Sequence, residues 1–201
     1  MAIPKKTKSY LDKKMAKYDE LSHKTVYTAY DAAQTLRREL KDIAKSLLIA
    51  ADKAYIIAVV PANMRLDLGK LKKALKAKKV SIPKEKVMVK VFKVKPGAIT
   101  AFGGLHKVDV WVDRGLLKTK DVIIAAGSFT DSVRMKAKDF IDLEQAKLAS
   151  FTQSGGYKLQ VKPKKKKTTK KKATRKAAKR KTTKKKPVKK TVKRRITKKK
   201  K

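Results

Sequence analysis

The sequence predicts an α+β fold: a curved, mostly antiparallel, barrel-like sheet with flanking helices, followed by a disordered basic tail. Short apolar runs of strand length mix, without strict alternation, with segments of helical periodicity. Two of these runs, 46–50 and 54–60, flank Asp52-Lys53 and indicate a buried hairpin. The basic residues beyond Lys158 have no apolar pattern at all, so that part of the chain is predicted to lack a core.

Charge divides the chain into two parts. All 16 acidic residues precede residue 145, whereas the chain from Lys158 onward has 26 Lys or Arg and no acid. We therefore expect a flexible basic start over 1–9, one folded domain over 10–150, a linker over 151–157 and a disordered Lys-rich tail over 158–201. A formal charge of +42 predicts a polyanionic partner, most often nucleic acid.

The composition excludes several classes of protein. The chain has no cysteine, which excludes disulfides, thiolate metal sites and cysteine nucleophiles and fits a cytoplasmic location. No apolar run approaches the roughly 18 residues of a membrane span, and the first residues lack the apolar region of a secretory signal. We expect neither a membrane partner nor secretion.

The first half of the domain is predicted to hold two helices before the hairpin. Apolar residues at helical spacing indicate a helix over 9–18, with Ser9 as its cap. Residues 19–25 are typical of an edge strand or a loop. Thr28, with Asp31 three residues later, predicts a capped helix that runs through Leu40.

The second half is predicted from similar local signals. Asp67 is placed to cap a helix over 68–77, whose leucines share one face. Pro96-Gly97 marks a break before a glycine-rich loop. The remaining predicted elements are a helix or strand over 84–94, the loop 97–104, strands over 108–112, 122–126 and 132–135, and a final helix over 138–148.

Few catalytic motifs are present. The sequence has no GxxxxGK[ST], GxGxxG or GxSxG motif, and neither His23 nor His106 has a nearby ligand that would complete a metal site. Two features remain: the glycine-rich loop, and Lys45 at the entrance to the buried hairpin. Loop amides hold oxyanions and a lysine holds phosphate, a combination suited to hydrolysis of an ester on a nucleic acid. The alternatives are a plain turn, an outward-pointing lysine and structural histidines.

The order of several sequence blocks resembles one known family. They resemble the YbaK/EbsC-type aminoacyl-tRNA deacylase domain, also called the prolyl-tRNA synthetase-associated editing domain, over about residues 10–148. The blocks are His23 with Thr28-Ala29 and Ala32-Ala33, Ile43-Ala44-Lys45-Ser46-Leu47, Ala58-Val59-Val60-Pro61 with Leu66-Asp67-Leu68 and Leu71, the loop 97–103, Val108–Leu117 with Asp113, and Ala126-Gly127-Ser128. The sequence departs from the family at Ala101, where the glycine loop commonly carries proline.

The resemblance implies hydrolysis of mischarged aminoacyl-tRNA in trans, without a metal or another cofactor. Lys45 would be the catalytic residue: a positioned water would hydrolyse the ester, and the charge of Lys45 would assist electrostatically. The size of the pocket would select small amino acids. The residues expected to bind the substrate are His23, Gly97, Thr100, Phe102, Gly103, Asp113, Gly127 and Ser128.

The tail resembles the C-terminal tail of a linker histone. Its near lack of aromatic residues favours sequence-independent phosphate binding over base stacking, with tRNA as partner and rRNA or DNA as further candidates. A second hypothesis is therefore a non-catalytic, nucleoid- or RNA-associated protein built on an inactive editing fold. The cations expected to bind nucleic acid are Lys164, Lys165, Lys166, Lys167, Lys170, Lys171, Lys172, Arg175, Arg180, Arg194 and Arg195.

Overall fold

The computed structural model describes residues 3–92 and 97–154. They belong to the first of two units into which the chain divides, Met1–Leu159. The predicted tail, with all its nucleic-acid-binding cations, lies outside the described residues.

Helices and strands alternate irregularly along the described chain. None of the described helices is long and apolar enough to cross a membrane. In chain order the elements are α1 (Lys5–Lys13), β1 (Asp19–Ser22), α2 (Ala29–Leu36), β2 (Ala44–Ala51), β3 (Ala54–Pro61), β4 (Met64–Leu66), α3 (Leu68–Leu75), β5 (Val80–Ser81), α4 (Glu85–Phe92), β6 (Asp109–Asp113), β7 (Asp121–Ala125), β8 (Asp131–Lys136), α5 (Ala137–Glu144), β9 (Lys147–Ala149) and β10 (Thr152–Ser154).

Most strand pairs are antiparallel, and the predicted α+β class is confirmed. A five-stranded sheet has the order β5-β2-β3-β6-β9, and a three-stranded sheet has the order β1-β8-β7. Strands β4 and β10 form a separate antiparallel pair. Strand β6 lies parallel to both β3 and β9, a pairing that periodicity does not encode.

The predicted hairpin is the centre of the larger sheet. Strands β2 and β3 pair along their whole length, with Ala44 opposite Pro61 at one end and Ala51 opposite Ala54 at the other. Asp52 and Lys53 therefore form the turn. Asp52 adopts a φ of 50°, and its carboxylate accepts hydrogen bonds from the backbone N–H groups of the two residues before β5. These two hydrogen bonds fix the hairpin turn to the segment that leads into β5.

Both faces of the hairpin are buried, which explains its nearly continuous apolar sequence. Leu48 and Ile57 face a core shared with α1, α5, β7 and β8. Ile49 and Ile56 face a second core under Leu71 of α3. Each such side chain contributes about 1.5–3 kcal/mol by leaving water.

Two predicted helix caps are confirmed. Thr28 Oγ1 accepts from the Asp31 N–H at 3.1 Å, and the Asp31 carboxylate accepts from the Thr28 N–H at 3.0 Å. Asp67 accepts from two N–H groups in the first turn of α3. Helix α2 ends at Leu36 rather than at Leu40, because Arg37 adopts the left-handed conformation with a φ of 53°.

The predicted start of the first helix is wrong. Helix α1 begins at Lys5, after Pro4, and not at Ser9. Ile3 is only 3% exposed, and the buried Thr7 hydroxyl donates to the Ala126 carbonyl at 2.7 Å. Residues 3–9 are therefore anchored by tertiary contacts, which a local cap signal does not reveal.

The predicted end of the domain is also wrong. Helix α5 ends at Glu144, and Leu148, assigned to that helix from the sequence, lies in β9. The sequence predicts a linker over 151–157, yet Phe151 is fully buried and β10 pairs with β4. The Phe151 N–H donates to the buried Asp113 carboxylate at 2.7 Å, which fixes this segment to β6.

Candidate functional site

A cavity of about 420 Å³ lies between β2, α2, α4 and β7. Its wall includes Ala44–Leu48 of β2, the residues around the α2 cap, Met88 of α4, and Ile123 and Ala125 of β7. Apolar side chains form most of this wall. The cavity has the size and lining of a small-molecule site.

The cavity exists because two strands separate. Strands β2 and β7 meet at a single parallel bridge, in which Ile43, just before β2, pairs with Ile123 of β7. Beyond this bridge β2 continues along β3, and β7 continues along β8. The space between the two described strands is closed by α2 and α4 rather than by further pairing.

Lys45 is the only lysine or arginine among the described residues that line the cavity. Its Nζ donates to the Met64 carbonyl at 3.3 Å, and the side chain is partly buried. Burial, and secondarily the charge of Arg65, lower the pKa of the Lys45 ammonium below its ordinary value. A cation held in an apolar wall favours an anionic ligand or a developing negative charge.

A polar wall lies around His23. The Nδ1 atom of His23 is 2.9 Å from the Lys24 carbonyl, so this nitrogen carries the proton. Its Nε2 atom lies 2.9 Å from the Ser132 hydroxyl, which can donate or accept in this hydrogen bond. His23, Ser128 and Ser132 all line the cavity.

Asp131 fixes the hydroxyls of this wall. Its carboxylate accepts from Ser128 at 2.8 Å, from Thr130 at 2.7 Å and from Ser22 at 3.2 Å. Burial acts to raise the pKa of Asp131, but the three hydroxyls and His23 together lower it below its ordinary value. The group is therefore ionised and orients Ser128 within the wall.

Gly97 and Ile99 are the residues of the glycine-rich loop that line the cavity, and Gly97 has the more constrained backbone. It has a φ of +91°, and a Cβ atom here would lie 2.8 Å from the Tyr27 carbonyl. The rings of Tyr27 and Phe129 pack beside it with centroids 5.1 Å apart. A side chain at position 97 would strain the backbone and displace this wall.

Four other residues predicted to bind substrate do not line the cavity: Thr100, Phe102, Gly103 and Gly127. Phe102 is fully buried in the core against Tyr10 and Phe140. Thr100 is buried and accepts from the Phe102 N–H at 3.4 Å. Gly127 adopts a φ of +99° next to Ser128.

Asp113 is likewise a structural residue in this fold. It is 2% exposed and accepts from the N–H groups of Gly115 and Phe151 and from the Thr152 hydroxyl. These bonds join β6 to the segment leading into β10. The structure places Asp113 in this internal network and not among the residues that line the cavity.

Gly103 shows why a glycine at the loop end is required. A Cβ atom at this position would collide with the Val108 carbonyl oxygen and with Val110 Cγ2. The lack of a side chain at Gly103 therefore permits close packing of the loop on Val108 and on Val110 of β6.

Replacing Gly103 with valine is accordingly expected to destabilise the domain. Overpacking costs about 1–3 kcal/mol, and a backbone neighbour that cannot move places the cost at the upper end. For a domain of this size that corresponds to a loss of roughly 6–12 °C in Tm, measured by calorimetry. An unchanged Tm combined with lost ligand binding would instead assign Gly103 to the site.

Sequence reasoning missed several residues of the cavity. Ser132 lines the cavity, and Asp131 holds the Ser128 hydroxyl of its wall. Both lie in segment 128–132, whose polar residues directly follow a predicted strand, a local signal. Tyr27 and Met88 gave no such signal, because aromatic and apolar residues occur throughout the domain. Of the predicted set, the structure brings His23, Lys45, Gly97 and Ser128 together around one cavity.

Comparison with known proteins gives a family and a fold. The model of the aminoacyl-tRNA editing domain matches residues 23–143, more than half of the chain. This match confirms the resemblance identified from the sequence. No curated protein matches the chain.

Solved structures agree with the fold. The hypothetical protein APE2540 has a TM-score of 0.70 at 18% identity, over 74% of this chain and 100% of its own. A "putative trans-editing enzyme for prolyl tRNA synthetase" has a TM-score of 0.68 at 21% identity, over 76% of this chain and 99% of its own. A "putative signal transduction protein" of Marinobacter aquaeolei VT8 has a TM-score of 0.60 at 19% identity, over 75% of this chain and 31% of its own. At these identities the likeness shows the fold alone.

Proposed function

The chain belongs to the aminoacyl-tRNA editing domain family, and we propose that it is a trans-acting deacylase that hydrolyses the ester of a mischarged aminoacyl-tRNA. The observation that carries this proposal is Lys45, a partly buried cation in the wall of an otherwise largely apolar cavity. A fold neighbour described as a trans-editing enzyme for prolyl tRNA synthetase supports action in trans.

Lys45 has donors to spare for a ligand. An ammonium group has three N–H donors, and one of them is used by the Met64 carbonyl. The remaining donors serve the phosphate next to the terminal ribose or the oxygen that gains charge as the ester is attacked. Because burial destabilises the charged lysine, an anion at this position stabilises it strongly.

The reaction needs only water as co-reactant. Water adds to the ester carbonyl, the bond between the acyl carbon and the ribose oxygen breaks, and the proton passes to that oxygen. The products are a free amino acid and a tRNA with a free terminal hydroxyl. Backbone amides near Gly97, which lines the cavity, are suited to hold the terminal ribose.

Selection of the amino acid follows from the cavity wall. Ile43, Leu48, Met88 and Ile123 limit the space for the acyl side chain. Small misacylated residues fit, and a larger correct residue is excluded. One methylene in an apolar pocket discriminates by about 10–200-fold.

Single-turnover deacylation of a panel of mischarged tRNAs by the full-length chain tests this function. We expect at least one small amino acid to be released much faster than by buffer alone, while correctly charged tRNAs survive. Survival of every ester would contradict the deacylase proposal and favour the alternative, a nucleic-acid-binding protein on an inactive editing fold.

A further inference from the structure

Five consecutive residues of β2, Ala44–Leu48, line the cavity. Successive side chains of a strand point to opposite faces of its sheet, so a cavity over one face contacts alternate residues only. A cavity that contacts all five runs along the edge of the strand. The groups that point from a strand edge are backbone N–H and C=O groups.

The register of the hairpin shows which backbone groups point to this edge. The Ala62 N–H donates to the Ile43 carbonyl at 2.9 Å, so Ile43 begins the series of hydrogen-bonded positions. In an antiparallel pair these positions recur at every second residue, which assigns Lys45 and Leu47 to bonds with β3. Ser46 lies between them, and its N–H and C=O point away from β3.

No strand in the described ranges covers Ser46 on that side. Strand β5 pairs only with Ala50 and Ala51, and β7 reaches only Ile43. The position of Pro61 supports the assignment. Pro61 lies opposite Ala44 and has no N–H, as a position outside the hydrogen-bonded pairs permits.

The Ser46 side chain gives a second, independent signal. Its Oγ atom is buried and is the one buried side-chain polar atom in the described part of the chain that has no hydrogen-bond partner. The other hydroxyls of the wall differ, since Ser128 and Ser132 are bonded to Asp131 and His23. A buried polar group without a partner is costly, and a ligand that pairs with it removes that cost.

We infer that the free edge of β2 at Ser46 is the subsite for the aminoacyl group, which pairs with it as one residue of a neighbouring strand would. The α-ammonium donates to the Ser46 C=O, and the acyl carbonyl accepts from the Ser46 N–H. An aminoacyl ester contains the N–Cα–C=O atoms of a peptide residue, so it supplies the donor and the acceptor at the spacing of a strand. The inference rests on the proposed function and deepens it.

This pairing has a consequence for substrate class. An N-acylated ester, such as a formylated or peptidyl ester, lacks the charged donor and carries bulk where the strand edge lies. The site therefore accepts aminoacyl esters with a free α-amino group. The Ser46 hydroxyl, after rotation about the Cα–Cβ bond, is a third group beside the same substrate.

The substrate experiment uses the full-length chain and one tRNA charged with one amino acid, either free or N-acetylated. A charge-assisted hydrogen bond is worth about 1.5–3 kcal/mol, so we expect kcat/KM to fall by roughly 10–100-fold or more on acetylation. Equal rates for the two esters would overturn the inference.

The protein experiment compares Ser46→Pro with Ser46→Ala. Proline removes the edge N–H without removing a bond to β3, so the variant should fold and lose roughly tenfold or more in kcat/KM. Alanine keeps both backbone groups and should lose less. Leu47→Pro is the matched control: it breaks the pairing with β3 and should lower Tm sharply. A folded Ser46→Pro variant with full activity would overturn the inference.

Failure of the function and failure of the subsite are separable. The probe is 3′-deoxy-3′-(alanylamino)adenosine, whose amide bond resists hydrolysis. If the wild-type chain hydrolyses no aminoacyl-tRNA but binds this probe in a Ser46→Pro-sensitive manner, the subsite stands and the deacylase proposal fails. If the wild-type chain does not bind the probe, or if the wild-type chain and the Ser46→Pro variant bind it with the same affinity, the subsite is overturned.

Discussion

Replacing Lys45 with alanine is expected to reduce single-turnover deacylation by at least about 10²–10³-fold, the usual effect of removing one preorganised donor to a developing charge. The fold should persist, because a partly buried ammonium with a lowered pKa does not stabilise the native state. The Met64 carbonyl loses one long hydrogen bond of 3.3 Å. Tm should therefore stay within a few degrees of the wild-type value.

The hairpin itself supplies a control. Lys53 lies in the exposed turn of the same two strands, at the end far from the cavity. Lys53→Ala removes the same charge from the same hairpin and should leave the rate unchanged. Wild-type chemistry in Lys45→Ala would refute the assignment of this lysine to the site.

The pH profile separates two roles for Lys45. Its pKa is lowered, so the ammonium loses its proton at a pH below that of an ordinary lysine. If the charged form acts, the rate falls as pH rises through this lowered pKa; if the neutral amine acts as a base, the rate rises over the same interval. We expect the fall, after correction for spontaneous ester hydrolysis, and its absence in Lys45→Ala.

The fold was predictable where the signal is local. The turn at Asp52-Lys53 and the caps at Thr28 and Asp67 each depend on residues a few positions apart, and each occurs as predicted. Strand β10 depends on its pairing with β4, more than 80 residues away in the sequence. The anchoring of Ile3 depends on a core that exists only in the folded chain. No periodicity in a short segment carries that information.

The site was predictable only in part for the same reason. Lys45 and Gly97 stand out in the sequence, since one is a charge beside an apolar run and the other is a glycine after a proline. Asp113 and Gly103 stand out equally, yet their neighbours in the fold give them structural roles. Ser46 gave no signal of its own, because a free strand edge is a property of how two sheets separate.

The tail is expected to control affinity. It carries 26 positive charges and no acid, so its contacts should be with phosphates. If about 6–10 phosphates are neutralised, affinity for tRNA falls by about 10³–10⁵ between 50 and 200 mM salt. Removing residues 158–201 should flatten this dependence and weaken binding to tRNA, rRNA and DNA alike, as measured by salt titration of each complex.

Chemistry at saturating tRNA should survive that truncation, because every cavity residue precedes position 133. A tail of the same composition in scrambled order is the matched control, since electrostatic binding depends on charge density and not on the order of residues. The scrambled tail should restore the salt slope of the full-length chain. An unchanged slope after truncation would show that the binding element lies in the folded domain, whose own excess of basic residues would then supply it. Loss of single-turnover hydrolysis at saturating tRNA would show instead that the tail acts in the chemical step, and would contradict the separation of binding from catalysis argued from the cavity.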